Sequence, residues 1–134
     1  MDLGAAIGRQ LRGGEVIALV GPLGSGKTHL IKGIAAGAQD RKEVNSPTFV
    51  IINEYEGRLR VYHIDAYRIN SLAEFEMLGF DDLLSAESVV MIEWADKVEA
   101  VVAQTHPIHV ELHHEGRTRR TIIFRDLPSD INVP

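Results

Sequence analysis

Residues Gly21–Thr28, reading Gly-Pro-Leu-Gly-Ser-Gly-Lys-Thr, constrain this chain more than any other stretch. They fit G-x-x-x-x-G-K-[ST], the phosphate-binding P-loop. Glycines let the backbone turn so that successive N–H groups face one concavity and meet phosphate oxygens. Lys27 then places a compact positive charge on the β- and γ-phosphates, and the Thr28 hydroxyl is suited to hold Mg²⁺. A helix opening at the loop adds its N-terminal dipole. The flanks suit this reading. Glu15–Val20 is short, apolar and rich in β-branched residues, as a buried parallel strand is. Leu30, Ile31, Ile34, Ala35 and Ala38 follow at helical spacing. The bland alternative is a glycine-rich turn between a core strand and a helix. The pattern points to a nucleoside polyphosphate.

At 134 residues the chain has room for one domain and none for a separate lid or base-recognition domain. The site is therefore expected to be completed by short loops or by another protein. No apolar run approaches the roughly 18 residues of a membrane helix, and the N-terminus lacks a basic signal region. Zero cysteines rule out disulfides and thiolate metal sites and agree with a reducing, cytoplasmic setting. The net charge of −5 gives no global pull toward nucleic acid.

Leu3, Ala6, Ile7 and Leu11 predict a short amphipathic helix closed by Gly13-Gly14. The P-loop strand and helix follow, with Gly37 weakening the helix end. Asn45–Thr48 is a turn, Phe49–Ile52 a strand, Glu56-Gly57 a hairpin turn, and Leu59–Ile64 a second strand running into Asp65. Adjacent strands joined tightly are antiparallel, so a mixed sheet is expected. Leu72–Leu78 reads as a short helix with Ser71 and Glu74 as a capping box, ended by Gly79. Val89–Ile92 is a fully apolar strand delivering Glu93. A helix over Ala95–Ala103, an alternating strand over Ile108–His113 and a last strand over Thr121–Phe124 complete the pattern. The tail from about Arg125, with two prolines, is expected to be loosely held. The fold class is α/β: a single P-loop NTPase domain, residues 1–134, with a mixed central sheet flanked by helices.

A P-loop works with a carboxylate at the end of a neighbouring strand that holds Mg²⁺ directly or through water. Asp65 and Glu93 qualify by position, and Glu93, after the more apolar run, is expected on the more central strand. A strand-end acid facing solvent is the alternative for each. Ser46-Pro47-Thr48 offers hydroxyls as a switch loop, or is a plain turn. Trp94, the only tryptophan, suits stacking on a base, contact with a partner, or core packing. His109 and His113 have a spacing that binds metal on a helix, but in a strand they stand about 13 Å apart, which disfavours a metal site. His63 belongs to the Asp65 neighbourhood. Arg68, Arg117, Arg119 and Arg120 are available for phosphate charge, although surface arginines are mostly solvated. No N-K-x-D or D-x-x-G stretch follows these strands, so adenine is favoured over guanine.

Together these pieces resemble one family: TsaE (YjeE), the small ATPase of bacterial tRNA threonylcarbamoyladenosine synthesis. The resemblance rests on Gly21–Thr28, Ser46-Pro47-Thr48-Phe49, Asn53-Glu54-Tyr55, the stretch Tyr62-His63-Ile64-Asp65-Ala66-Tyr67-Arg68, Leu78-Gly79 and Ile92-Glu93-Trp94. It implies ATP·Mg²⁺ binding, a weak ATPase activity dependent on partners, and Thr28 and Glu93 as Mg²⁺ ligands. Nucleotide contacts are implied for Leu23, Gly24, Ser25, Gly26, Lys27, Thr28, Thr48 and Trp94, with Lys27 and Asp65 as the catalytic residues. The implied partners are TsaD and TsaB, with tRNA engaged only through that complex and no membrane. The ATP cycle would reset the complex between transfers. The alternative is a nucleotide-gated binding module that switches partner affinity without turnover mattering. Two features depart from the family pattern: the segment that commonly precedes Asp2-Leu3-Gly4 and frames the adenine is missing, and Pro22 stands where an acidic residue is frequent.

Overall fold

Val16–Val20 and Ser88–Glu93 carry apolar side chains toward both faces, and a strand of that kind is stable only where both faces are covered. In the computed structural model, which describes residues 3–22, 26–39, 52–116 and 119–134, they lie at the middle of a six-stranded sheet. In chain order the strands are β1 (Val16–Val20), β2 (Ile52–Tyr55), β3 (Arg60–Asp65), β4 (Ser88–Glu93), β5 (Ile108–Glu115) and β6 (Arg119–Arg125). Across the sheet they run β2-β3-β4-β1-β5-β6. Strands β3, β4, β1 and β5 are parallel, while β2 and β6 close the edges antiparallel. The sheet is mixed, as the hairpin reading predicts.

Alternation along the central strands divides the core into two layers. Ile17, Leu19, Met91 and Val61 face α1 (Leu3–Gln10) and α2 (Lys27–Gln39), joining Ile7, Leu30, Ile31 and Ile34. Val16, Ala18, Val90, Ile92 and Ile64 face the other way. There they pack on α3 (Leu72–Met77) and α4 (Phe80–Leu83) through Phe75 and Phe80, and on α5 (Glu99–Val102) through Val102. The result is a single small domain of the P-loop NTPase type.

Helices α1 and α2 meet through glycine. A Cβ built on Gly8 would lie 2.2 Å from the Ile34 carbonyl oxygen, and one on Gly37 would lie 2.3 Å from that of Ala5. Both obstacles are backbone, so neither can step aside. Gly37, which reads from sequence only as a weak point, is thus a contact surface, and α2 continues past it to Gln39. Gly8→Val is expected to cost about 3 kcal/mol, the upper part of the overpacking range, or roughly 10 °C in Tm for a chain of this size. A thermal melt that matches the parent would refute the close crossing.

Several elements differ from the sequence reading. The described strand β2 is Ile52–Tyr55, and of the expected Phe49–Ile52 only Ile52 is among the described residues. Ser71 Oγ accepts from Glu74 N as a cap should, but Glu74 Oε2 accepts from Asn70 N rather than from Ser71 (3.1 Å each). Beyond Gly79, in the left-handed region at φ 83°, the chain makes α4, a turn too short to have a periodic signature. The expected helix over 95–103 is a 3₁₀–α–3₁₀ succession, Ala95–Val98, Glu99–Val102 and Ala103–Thr105. Its β-branched Val98, Val101 and Val102 support helical geometry weakly. Strand β6 extends past Thr121–Phe124 at both ends because it pairs along β5 from His109 to Glu115, nearly its whole length. The tail, read as loosely held, has Ile131 buried in the core beside α1. Asn132 exchanges two hydrogen bonds of 2.7 Å with the Gln10 side chain, a carboxamide match that composition does not reveal.

Candidate functional site

The site lies at the C-terminal edge of the parallel strands, where open α/β sheets bind ligands. Strand β1 ends at Val20 and α2 starts at Lys27. Between them, Gly26 sits in the left-handed region at φ 95°, and its carbonyl accepts from Leu30 N, starting the helix. Leu23, Gly24, Ser25 and the loop around Thr48 lie outside the described residues. Thr28 is exposed on the first turn of α2, next to Lys27.

Lys27 is only 5% exposed. Its ammonium donates to the Gly21 carbonyl and lies 3.4 Å from the centroid of the Trp94 ring. Burial lowers its pKa, and Glu93, Asp65 and Asp96, in that order, oppose the shift. The charges of three carboxylates thus counter, in part, the loss of hydration at one buried ammonium.

The two strand-end acids are neighbours. Asp65 on β3 and Glu93 on β4 pair directly across the parallel ladder, and Ala66 N donates to the Glu93 carbonyl at 3.0 Å. Asp65 Oδ1 accepts from Tyr67 N at 3.0 Å, fixing that carboxylate at the strand end. Glu93 is the more deeply buried of the two, next to the P-loop strand as expected. Burial pushes its carboxyl above the usual range, Asp65 adds to this, and Lys27 opposes it. His63, on β3, brings Nε2 within 3.9 Å of Glu93 Oε1. Burial lowers the His63 pKa, against the pull of Asp65, and favours the neutral ring. Neither His63 Nε2 nor Glu93 Oε1 has a hydrogen-bond partner among the described residues.

A buried carboxylate oxygen without a partner is costly and calls for a ligand. With Asp65 alongside and a hydroxyl at Thr28, the donors are hard oxygens of the kind a divalent cation such as Mg²⁺ takes. No group of three His, Cys, Asp or Glu gathers as a metal cage among the described residues. Mg²⁺ needs none when phosphates and water supply its other ligands.

Trp94 occupies the edge of this cleft. Its φ of 62° is left-handed, strained for a bulky residue, and it turns the ring over Lys27 and 4.9 Å from the Tyr67 ring. The same side chain packs partly on the core. His109 and His113 each take their own carboxylate, Asp126 at 2.9 Å and Glu111 at 3.3 Å. A residue weighed only as part of a class is Arg120, whose guanidinium comes beside Gly26. Its approach depends on strand register across the β5–β6 hairpin, which spacing alone does not give.

Comparison with known proteins bears on what such a cleft serves. The family model described as "Threonylcarbamoyl adenosine biosynthesis protein TsaE" matches residues 1–122. This chain belongs to the TsaE family. A TsaE protein of Treponema pallidum is 36% identical over 120 residues, covering 89% of each chain. One from Bacillus subtilis is 40% identical over 112 residues, covering 83% of this chain and 69% of that one. Both relatives are described as tRNA threonylcarbamoyladenosine biosynthesis proteins TsaE. The crystal structure of Bacillus subtilis YdiB superposes with a TM-score of 0.70 at 30% identity, covering 91% of this chain and 74% of that one. The TsaE assignment takes in both acids and the P-loop, since all fall within the matched residues. No helix among the described residues is long and apolar enough to cross a membrane.

Proposed function

We propose that this chain, as a TsaE-family protein in tRNA threonylcarbamoyladenosine biosynthesis, binds and hydrolyses ATP with Mg²⁺ and thereby drives a TsaD–TsaB complex. The observation that carries the reading is the convergence of Lys27, Glu93 and Asp65 at one end of three adjacent strands, under the P-loop helix. Lys27 moves from the Gly21 carbonyl to the nucleotide phosphates, exchanging a neutral acceptor for an anion. Glu93 and the Thr28 hydroxyl hold the metal, with Asp65 close by. A Mg²⁺ bound there would supply charge neutralisation at the phosphate oxygens. Asp65, held by the Tyr67 N–H, orients the attacking water. Turnover by the isolated chain is expected to be weak, because nothing described covers the exposed Thr28 side of the cleft. Phosphate release measured with and without purified TsaD–TsaB tests this. Strong stimulation supports a driving ATPase, whereas tight nucleotide binding with unchanged release would favour a nucleotide-gated switch instead.

Two further outcomes follow from the same arrangement. Trp94 is the only tryptophan, and the Lys27 ammonium lies on its face. Drawing Lys27 onto phosphate removes a cation from the indole, so ATP or ADP titration should change the intrinsic emission saturably. Calorimetric binding with silent fluorescence would contradict the movement of Lys27. The isolated chain should not bind tRNA with useful affinity, since phosphate neutralisation needs clustered Lys and Arg and the net charge is −5. Salt-sensitive submicromolar binding in a gel shift would overturn that.

A further inference from the structure

The β5–β6 hairpin is longer than the sheet it joins. Strand β1 pairs with β5 only through Glu111, opposite Val20, while β5 continues to Glu115. Residues 112–115 therefore overhang the C-terminal end of β1, on the side where the chain enters the P-loop. Strand β6 returns along this overhang, with Ile122 opposite Leu112, Arg120 opposite His114 and Arg119 opposite Glu115.

Period-two alternation decides what the overhang presents. Leu112, Ile122 and Phe124 lie on the face that packs against α1 and α2. His114 and Arg120 continue that face beyond the core, toward the start of α2. The contact agrees with the alternation: a Cβ built on Gly26 would lie 3.4 Å from Arg120 Nη1 and 3.8 Å from its Cδ. A guanidinium is thus laid against the left-handed glycine that immediately precedes Lys27. Arg125, on the same strand, is bonded to Glu111 at 3.0 Å, but no ion pair claims Arg120 among the described residues. Arg119 falls on the opposite face by the same alternation.

We propose that Arg120 is a nucleotide-contacting residue, carried over the P-loop by the hairpin so that its guanidinium takes a phosphate of the bound nucleoside polyphosphate. The proposal rests on the phosphate-loop reading above. It adds a second cation, from a different element, on the side of the loop away from Glu93 and Asp65. A planar guanidinium suits this place because it takes phosphate oxygens in a two-pronged contact that a lysine cannot copy. Gly26 itself is required by its left-handed φ of 95°, and it leaves the Arg120 guanidinium lying directly along the loop backbone.

The test is calorimetry of ATP and ADP on the full chain, comparing the parent with Arg120→Gln, Arg120→Lys, Arg119→Gln and Lys27→Ala. Loss of a charge-assisted contact predicts about tenfold or more weaker binding for Arg120→Gln. Arg120→Lys should recover part of that loss, and Arg119→Gln, a charge of the same hairpin on the other face, should stay within about twofold of the parent. Melting curves taken alongside should coincide for the Arg119 and Arg120 variants. Parent-like affinity in Arg120→Gln, with binding abolished in Lys27→Ala, would overturn the role of Arg120 and leave the phosphate loop standing. Equal losses in Arg119→Gln and Arg120→Gln would overturn it as well, reducing the effect to hairpin charge. Failure of the parent to bind either nucleotide would overturn both.

Discussion

Lys27→Ala is expected to abolish productive ATP binding while leaving the fold in place. The ammonium is buried, donates to the Gly21 carbonyl and lies on the Trp94 ring. It belongs to the edge of the cleft and to neither apolar core cluster. Removing it deletes a charge-assisted contact to phosphate that water cannot replace in so closed a place. Contacts of this class contribute about 3 kcal/mol at their upper end, which is roughly a hundredfold in affinity. It also leaves Glu93 and Asp65 without the cation that offsets their mutual repulsion, so polyphosphate would approach two carboxylates unshielded. Calorimetry on the folded variant decides the matter. Unchanged ATP affinity would mean that Lys27 serves the loop's own architecture, holding Gly21, and not the ligand.

What the sequence makes legible here is what short-range chemistry determines. Gly21–Thr28 declares a phosphate loop because its residue types are dictated by one local geometry, and Val89–Ile92 declares a central strand because no rim strand tolerates apolar side chains on both faces. From those two the neighbourhood of Glu93 and Lys27 follows, and the structure places them together. Register is what spacing cannot give. Asp65 opposite Glu93, Arg120 opposite His114, and the overhang of β5 beyond Val20 each depend on how one strand slides against another. The glycine crossing of α1 on α2 is hidden for a related reason. Gly8 and Gly37 are each permissible in a poor helix, and only the approach of the partner backbone explains why nothing larger stands there. The tail shows the weakness of composition as a guide: two prolines suggest looseness, but one buried Ile131 and the Gln10 carboxamide hold the segment.

The pairing of Asp65 with Glu93 gives two carboxylates in adjacent positions but different settings, and their loss should be read out by different measurements. Glu93 is 7% exposed, and its Oε1 lacks a partner among the described residues. An oxygen so placed is unfavourable when unpartnered, and in the proposed function the bound cation would satisfy it. Glu93→Gln keeps the volume and replaces the charge, so the melting point should shift by only a few degrees. Mg²⁺-dependent ATP affinity should meanwhile fall by about tenfold or more, the lower end for loss of a charged partner. Asp65 is already held by the Tyr67 N–H and is less buried. In the proposed function this carboxylate orients the attacking water. Asp65→Asn preserves the shape and the accepting oxygen, so ATP affinity should stay within about twofold, the size of change expected when no binding contact is lost. Its defect should appear in partner-stimulated phosphate release, by about a hundredfold, the lower range for a positioned acid–base group. Titrating ATP with and without Mg²⁺, then measuring release in the presence of TsaD–TsaB, separates the two. Should Asp65→Asn lose the Mg²⁺-dependent part of its affinity while Glu93→Gln keeps it, the roles are exchanged. The metal would then sit over β3, one strand farther from the phosphate loop than the burial of Glu93 indicates.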